Sequence, residues 1–100
     1  LNKMANFRLT KQAKADLDEI AAYTFETWGM EQALRYIDLL EESCRLLASR
    51  PNLGTSAAEL APGLRRHAHQ AHVIFYLPEK DGVLIVRVLH ESMDAPRHLG

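Results

Sequence analysis

The apolar residues of this chain change their spacing once, and that change divides it into a helical half and a sheet half. Up to Arg50 they recur at offsets of three and four: Ala13, Leu17, Ile20, Ala21, Thr24 and Trp28, then Ala33, Tyr36, Ile37, Leu40, Cys44 and Leu47. From Leu64 they alternate or run together, in LRRHA, HVIFYL and VLIVRVL. The punctuation agrees. Thr10 stands where a hydroxyl can accept from an orphan amide of a first helical turn, Gly29 supplies a left-handed stop, and Pro51 forbids a helix from continuing. The spacing therefore predicts one helix over 11–28 and a second from Met30 or Glu31 to Arg50, joined through Gly29 as an antiparallel hairpin. An Asp-Gly signal within Pro78 to Gly82 predicts a β-hairpin between His72 to Leu77 and Val83 to Leu89. Leu64 to Ala68 reads as a further strand, and Ala5 to Leu9, with Phe7 and Leu9 alternating against Asn6 and Arg8, as an N-terminal one. Asn52 to Gly63 reads as a loop with one helical turn around Ser56 to Leu60, and Glu91 to Gly100 as an irregular tail. The resulting class is α+β: two layers, built from an N-terminal strand, an antiparallel helical hairpin and a three-stranded antiparallel sheet whose second face is partly open.

One hundred residues make a single domain, taken as 5–99, and the three residues ahead of Met4 read as upstream of a natural start. A hydrophobic share of 47% with 25% charged residues excludes wholesale disorder. No apolar run approaches the ~18 residues of a membrane span. The single Cys44 cannot form an internal disulfide, which points to the cytoplasm, and no cofactor or metal is implied. Twelve Lys and Arg against thirteen Asp and Glu give a net charge of -1, a poor footprint for gripping a phosphate backbone directly.

Three stretches together resemble a known family: FRLTKQAKADLDEIAAYTFETWG, then EQALRYIDLLEESCRLLASRPNLG, then PGLRRHAHQAHVIFYLPEKDGVLIVRVLHESMD. They are similar to the ParE branch of the RelE/ParE toxins of bacterial type II toxin–antitoxin modules, most specifically in GLRR, HVIFY and IVRVLHESMD. The resemblance covers Phe7 to about Leu99. It implies a two-layer RelE/ParE-like fold and a toxin neutralised by a cognate ParD-like antitoxin in a hetero-oligomer. It also implies DNA gyrase as the target, reached by protein binding. The alternative that the shared fold leaves open is a ribosome-dependent mRNA endonuclease of the RelE type. A third reading is a toxin that has lost its potency and only forms a complex with its antitoxin.

The residues weigh these readings unequally. A ribonuclease needs proton-transfer groups and cations on the developing phosphorane charge. Arg65, Arg66 and Arg87 with His67, His69, His72 or His90 are candidates, but the lysine cluster and C-terminal tyrosine of many ribosome-dependent members are missing, since Glu91 to Gly100 holds no Tyr. His67, His69 and His72 read as strand histidines, not a metal site, for want of a completing carboxylate or cysteine. Cys44 reads as inert core, with Trp28 and Tyr36 as hairpin core. Arg65 and Arg66 divide evenly between edge charges and partner contacts. Arg87 interrupts an apolar strand and must find water, a carboxylate or a ligand. Strict alternation puts it on the open face with Val83, Ile85 and Leu89, leaving Leu84, Val86 and Val88 to the helices. The predicted antitoxin- or target-binding set is Arg65, Arg66, Val73, Phe75, Ile85, Arg87 and His90, crossed by one extended segment.

Overall fold

A computed structural model describes residues 6–99, so the upstream reading of 1–3 and the placement of Ala5 lie outside the described residues. Strand β1 (Asn6–Leu9) leads into helix α1 (Lys11–Trp28) through Thr10. The Thr10 hydroxyl accepts from the Ala13 amide at 3.0 Å, as an N-cap should, and donates to the Val86 carbonyl at 2.7 Å, so one side chain both starts the helix and ties it to the sheet. Gly29, at φ +94°, bonds back to the Phe25 carbonyl and turns the chain directly into helix α2 (Met30–Ser49).

The sheet has five strands in the order β1-β5-β4-β3-β2, formed by β1, β2 (Thr55–Ser56), β3 (Arg65–His69), β4 (His72–Glu79) and β5 (Gly82–His90). β1 lies parallel to β5, and every other pairing is antiparallel. The β4–β5 turn is tighter than expected: Glu79 pairs with Gly82, leaving only Lys80 and Asp81 in the loop. β2 was not expected. It is two residues long and polar, below what periodicity can register, and it replaces the predicted start of a helical turn at Ser56. Tyr76, fully buried, organises the approach to β2 by donating its hydroxyl to the Pro51 carbonyl (2.7 Å) and accepting from the Gly54 amide (3.0 Å). A β-carbon at Gly54 would stand 2.6 Å from that hydroxyl.

The main core lies between the helices and one sheet face. Ala13, Leu17 and Ile20 of α1 and Leu40, Cys44 and Leu47 of α2 pack on Ile74, Tyr76, Val83, Ile85 and Val88. Each fully buried Leu or Ile contributes about 1.5–3 kcal/mol. Burial of Cys44 pushes its thiol up to about 12, in keeping with an inert core residue.

Three expectations are corrected here. The second sheet face is not open: Ala57, Leu64, Phe75 and Leu89 form a second buried cluster, flanked by Leu60, Val73, Leu77, Val86, Ala95 and Leu99. The loop after β2 and a short helix, α3 (Ala95–Leu99), thus cover it. Their few leucines follow no period, so the segments read as irregular although they are half of a core. Strict alternation along β5 also fails. Phe75 pairs with Arg87 while Tyr76 pairs with Ile85, so Val86 is the extra residue of a β-bulge. Val83, Ile85 and Val88 therefore all face the helices, and Ile85 is fully buried there. Trp28, expected in the hairpin core, is instead 70% exposed, because it lies in the last turn of α1, beyond the sheet-facing stripe that ends at Thr24.

Candidate protein-binding site

β1 is too short to cover the whole outer edge of β5, since it pairs only with Gly82–Ile85. Helix α1 takes over the rest. Asp16, buried in the apolar stripe between Ala13 and Ile20, accepts from the Val88 amide at 2.9 Å and from two guanidinium nitrogens of Arg87, both at 2.8 Å. Arg87 also donates to the His98 carbonyl at 2.8 Å, so one side chain joins β5, α1 and α3. The ion pair is largely shielded from water. Of the water, carboxylate or ligand that Arg87 requires, the structure supplies a carboxylate, that of Asp16 on the core-facing side of a helix.

Beyond this lock, α1 and the end of β5 diverge and leave a groove of about 330 Å³. Its lining is Asp16, Glu19, Ile20 and Tyr23 from α1, His72 and His90 from the strands, and Val88, Ser92 and Met93. Exposed apolar side chains (Tyr23, Met93) stand over a buried floor (Ile20, Val88), with carboxylate, imidazole and hydroxyl groups around them. An apolar recess with a few converging polar groups is suited to receiving side chains of a partner segment.

A row of imidazoles borders the groove. His69, His72 and His90 pair across β3, β4 and β5. His72 Nδ1 is hydrogen-bonded to the Tyr36 hydroxyl at 2.7 Å, His69 Nδ1 to the Ser43 hydroxyl at 2.8 Å and His90 Nδ1 to Ser92 at 2.7 Å. The His72 and His90 rings meet edge to face at 5.4 Å. Burial, and then the neighbouring imidazoles, lower the basicity of His72, against a smaller opposing effect of Glu91; burial and then His67 do the same to His69. Among the described residues no three such groups converge as metal ligands.

This row carries a pH prediction. Histidines that are less basic folded than unfolded bind fewer protons in the native state, so the native state loses stability as pH falls below the ordinary value of 6.5. Their contribution is complete above that value and is lost as pH drops toward the depressed native values. The groups facing them are Tyr36 and Ser43 from α2, Glu19 from α1, and His67, Glu91 and Ser92 from the sheet and its exit. Unfolding free energy measured in urea is expected to fall between about pH 7 and pH 5, and His72→Gln is expected to flatten that fall, with a limit of about 1.4 kcal/mol per pH unit for each proton.

The predicted site residues separate in the structure. Arg66 bonds Glu59 and lies 6.0 Å from the Phe75 ring, while Arg65 donates to the Asn52 and Gly54 carbonyls. Phe75 is buried and Val73 packs beside it under the second cluster, with Ile85 on the opposite face. Only His90 of the set reaches the groove. Asp16, Glu19, Tyr23 and Met93 were not singled out. Asp16 had a readable signal, as the one carboxylate inside the apolar stripe of α1.

Comparison with known proteins places this architecture. The model of the ParE toxin of type II toxin–antitoxin system, parDE, matches residues 7–95. The chain belongs to the ParE toxin family. It is 43% identical over 99 residues to Toxin ParE1 of Caulobacter vibrioides, covering 97% of this chain and 100% of that one. It is 39% identical to Toxin ParE of Escherichia coli over 92 residues, covering 91% and 89%. The solved Chromosomal ParDE TA system from P. aeruginosa contains a chain that superposes with a TM-score of 0.73 at 24% identity, covering 87% of this chain and 96% of that chain. That likeness concerns the fold, an α+β arrangement as expected from the order of elements and ParE-like as the resemblance implied. Among the described residues no helix is long and apolar enough to cross a membrane.

Proposed function

We propose that this ParE-family chain acts in the cytoplasm by binding, with DNA gyrase as its target. In this reading a cognate ParD-like antitoxin neutralises it by folding a segment into the groove between α1 and the end of β5. The observation that supports the docking place is the groove itself: a formed recess with apolar floor and polar rim, while the sheet face first considered is already covered by the protein's own loop and α3. The charge around it favours binding over phosphate chemistry. The groove is lined by Asp16 and Glu19 and by no Lys or Arg, and Arg8, Arg66 and Arg87 are paired with Glu79, Glu59 and Asp16.

Growth arrest on induction without antitoxin, inhibition of gyrase supercoiling by the purified chain, and no codon-placed cuts in cellular messages are the expected results. Supercoiling left untouched over a wide concentration range overturns the target. For the docking place, Tyr23→Ala with Met93→Ala is expected to weaken antitoxin binding at least about tenfold, as for loss of anchor side chains. Both residues are exposed, so folding is spared. Parental affinity in that variant overturns the groove as the antitoxin's seat.

A further inference from the structure

The outer end of the helical hairpin shows a pattern that the groove does not use. Phe25 and Trp28 lie one turn apart at the end of α1, and Met30 and Leu34 one turn apart at the start of α2, with only Gly29 between the helices. They are 49%, 70%, 58% and 60% exposed. Single exposed apolar residues are ordinary on any protein, but four large ones within ten residues at one end of a hairpin form a patch. Aromatic residues and Met are the types enriched at protein interfaces.

Charge selects the occupant. Over α1 and α2 the hairpin carries Asp16, Asp18, Glu19, Glu26, Glu31, Asp38, Glu41 and Glu42 against Lys11, Lys14, Arg35 and Arg45. Asp16 is committed to Arg87 and Glu19 lines the groove, while Glu26 and Glu31 lie within the stretch that holds the four apolar residues. The rest of the chain holds eight Lys and Arg against five Asp and Glu, so a near-neutral total conceals an acidic hairpin on a basic remainder. Nucleic acid and anionic lipid are repelled by such a field, and a second hairpin would set carboxylate against carboxylate. A segment with Lys or Arg distributed around apolar anchors complements both features.

We propose that the hairpin end, through Phe25, Trp28, Met30 and Leu34 with Glu26 and Glu31 among them, is a docking surface for a cationic amphipathic segment of a partner protein. It is separate from the groove, whose lining includes none of these four residues. Apolar contact supplies the affinity, and the carboxylates supply orientation and rate.

Trp28 is the chain's single tryptophan and reports on this surface directly. The probe is a synthetic helical peptide of about 18 residues with Leu at i, i+3, i+4 spacing and Lys elsewhere, titrated into the full chain beside a matched peptide with Glu in place of Lys. The Lys peptide is expected to move Trp28 emission to the blue and to saturate, with affinity falling at least about tenfold between roughly 50 and 300 mM salt; the Glu peptide leaves emission unchanged. Phe25→Ser with Met30→Ser, which keeps every charge and changes only exposed side chains, is expected to weaken binding at least about tenfold, as is Glu26→Lys with Glu31→Lys. Lys80→Ala, in the β4–β5 turn, binds like the parent. Parental binding by the Phe25→Ser, Met30→Ser variant means general charge attraction only and overturns the proposal. So does equal binding of the Glu peptide. A blue shift that grows with the chain's own concentration, together with a dimer in sedimentation, makes a second copy the occupant and overturns it as well.

Discussion

Asp16→Ala is expected to lower the unfolding free energy by about 3–5 kcal/mol, the scale for removing one member of a buried charge pair. The carboxylate satisfies two guanidinium nitrogens and the Val88 amide, with the Asp16 side chain 10% exposed and that of Arg87 18% exposed. Alanine leaves the Arg87 cation with only the His98 carbonyl and the Val88 amide with no acceptor, on the stretch of β5 whose outer edge has no neighbouring strand. A domain of this size holds about 5–15 kcal/mol in all, so the loss appears as a fall in melting temperature on the order of 15 °C or more. Arg87→Ala is expected to cost less, about 2 kcal/mol, because Asp16 keeps its bond to the Val88 amide. Asp16→Leu combined with Arg87→Met is expected to recover part of the loss, since no charge is then stranded. Urea unfolding of the four proteins checks the order. If Asp16→Ala melts like the parent, the pair does not hold α1 to β5.

The second large effect belongs to Gly82. It opens β5 at φ +152°, and a β-carbon there would overlap the backbone of Asn6 in β1. Gly82→Ala therefore combines about 1–3 kcal/mol of backbone strain with about 1–3 kcal/mol of overpacking against a neighbour that cannot rotate away. The chain can relieve this only by peeling β1 from β5. Rapid hydrogen exchange at the Asn6 amide, which normally bonds the Asp81 carbonyl, is the expected signature, with protection retained in α2. Gly63→Ala is the control. Gly63 also has positive φ, +76°, but its nearest neighbour would be a flexible leucine methyl at 3.7 Å, so only the strain is charged. Equal losses in the two variants would show that the close approach of β1 carries no weight.

The helical hairpin was legible because its signals are local. Thr10, Gly29 and Pro51 each act on the turn they occupy, and the stripe from Ala13 to Leu47 repeats often enough to be read. The family resemblance was legible for the same reason, resting on short ordered blocks across the chain. The site was not, and the causes are specific. One extra residue at Val86 puts Val83 and Ile85 on the face opposite to the one strict alternation with Val88 gives, and nothing in VLIVRVL marks where a bulge falls. Leu60, Leu64 and Leu99 cover the second sheet face from segments without period, so a face that looked available is occupied. The Arg87 partner lies 71 residues away, and such pairs are not visible in spacing. What could be read was the demand: an arginine in an apolar strand and an aspartate in an apolar helix stripe each require a partner, and they answer each other.

The parallel pairing of β1 with β5 has a consequence for synthesis. Asn6 and Gly82 are neighbours in space though roughly 75 residues apart in the chain, and both α1 and α2 pack on β5. Contacts of such long range make closure of the fold late, since it waits for β5 to leave the ribosome. Until Gly82 to His90 has been translated, β1 has no partner, Asp16 has no arginine, and Leu17, Ile20 and Leu47 have only part of the surface that covers them. A product that stops before β5 is therefore more than a shortened domain. It lacks one wall of the groove and leaves the hairpin's apolar face in water, so early termination yields an aggregation-prone fragment in place of a weakened toxin.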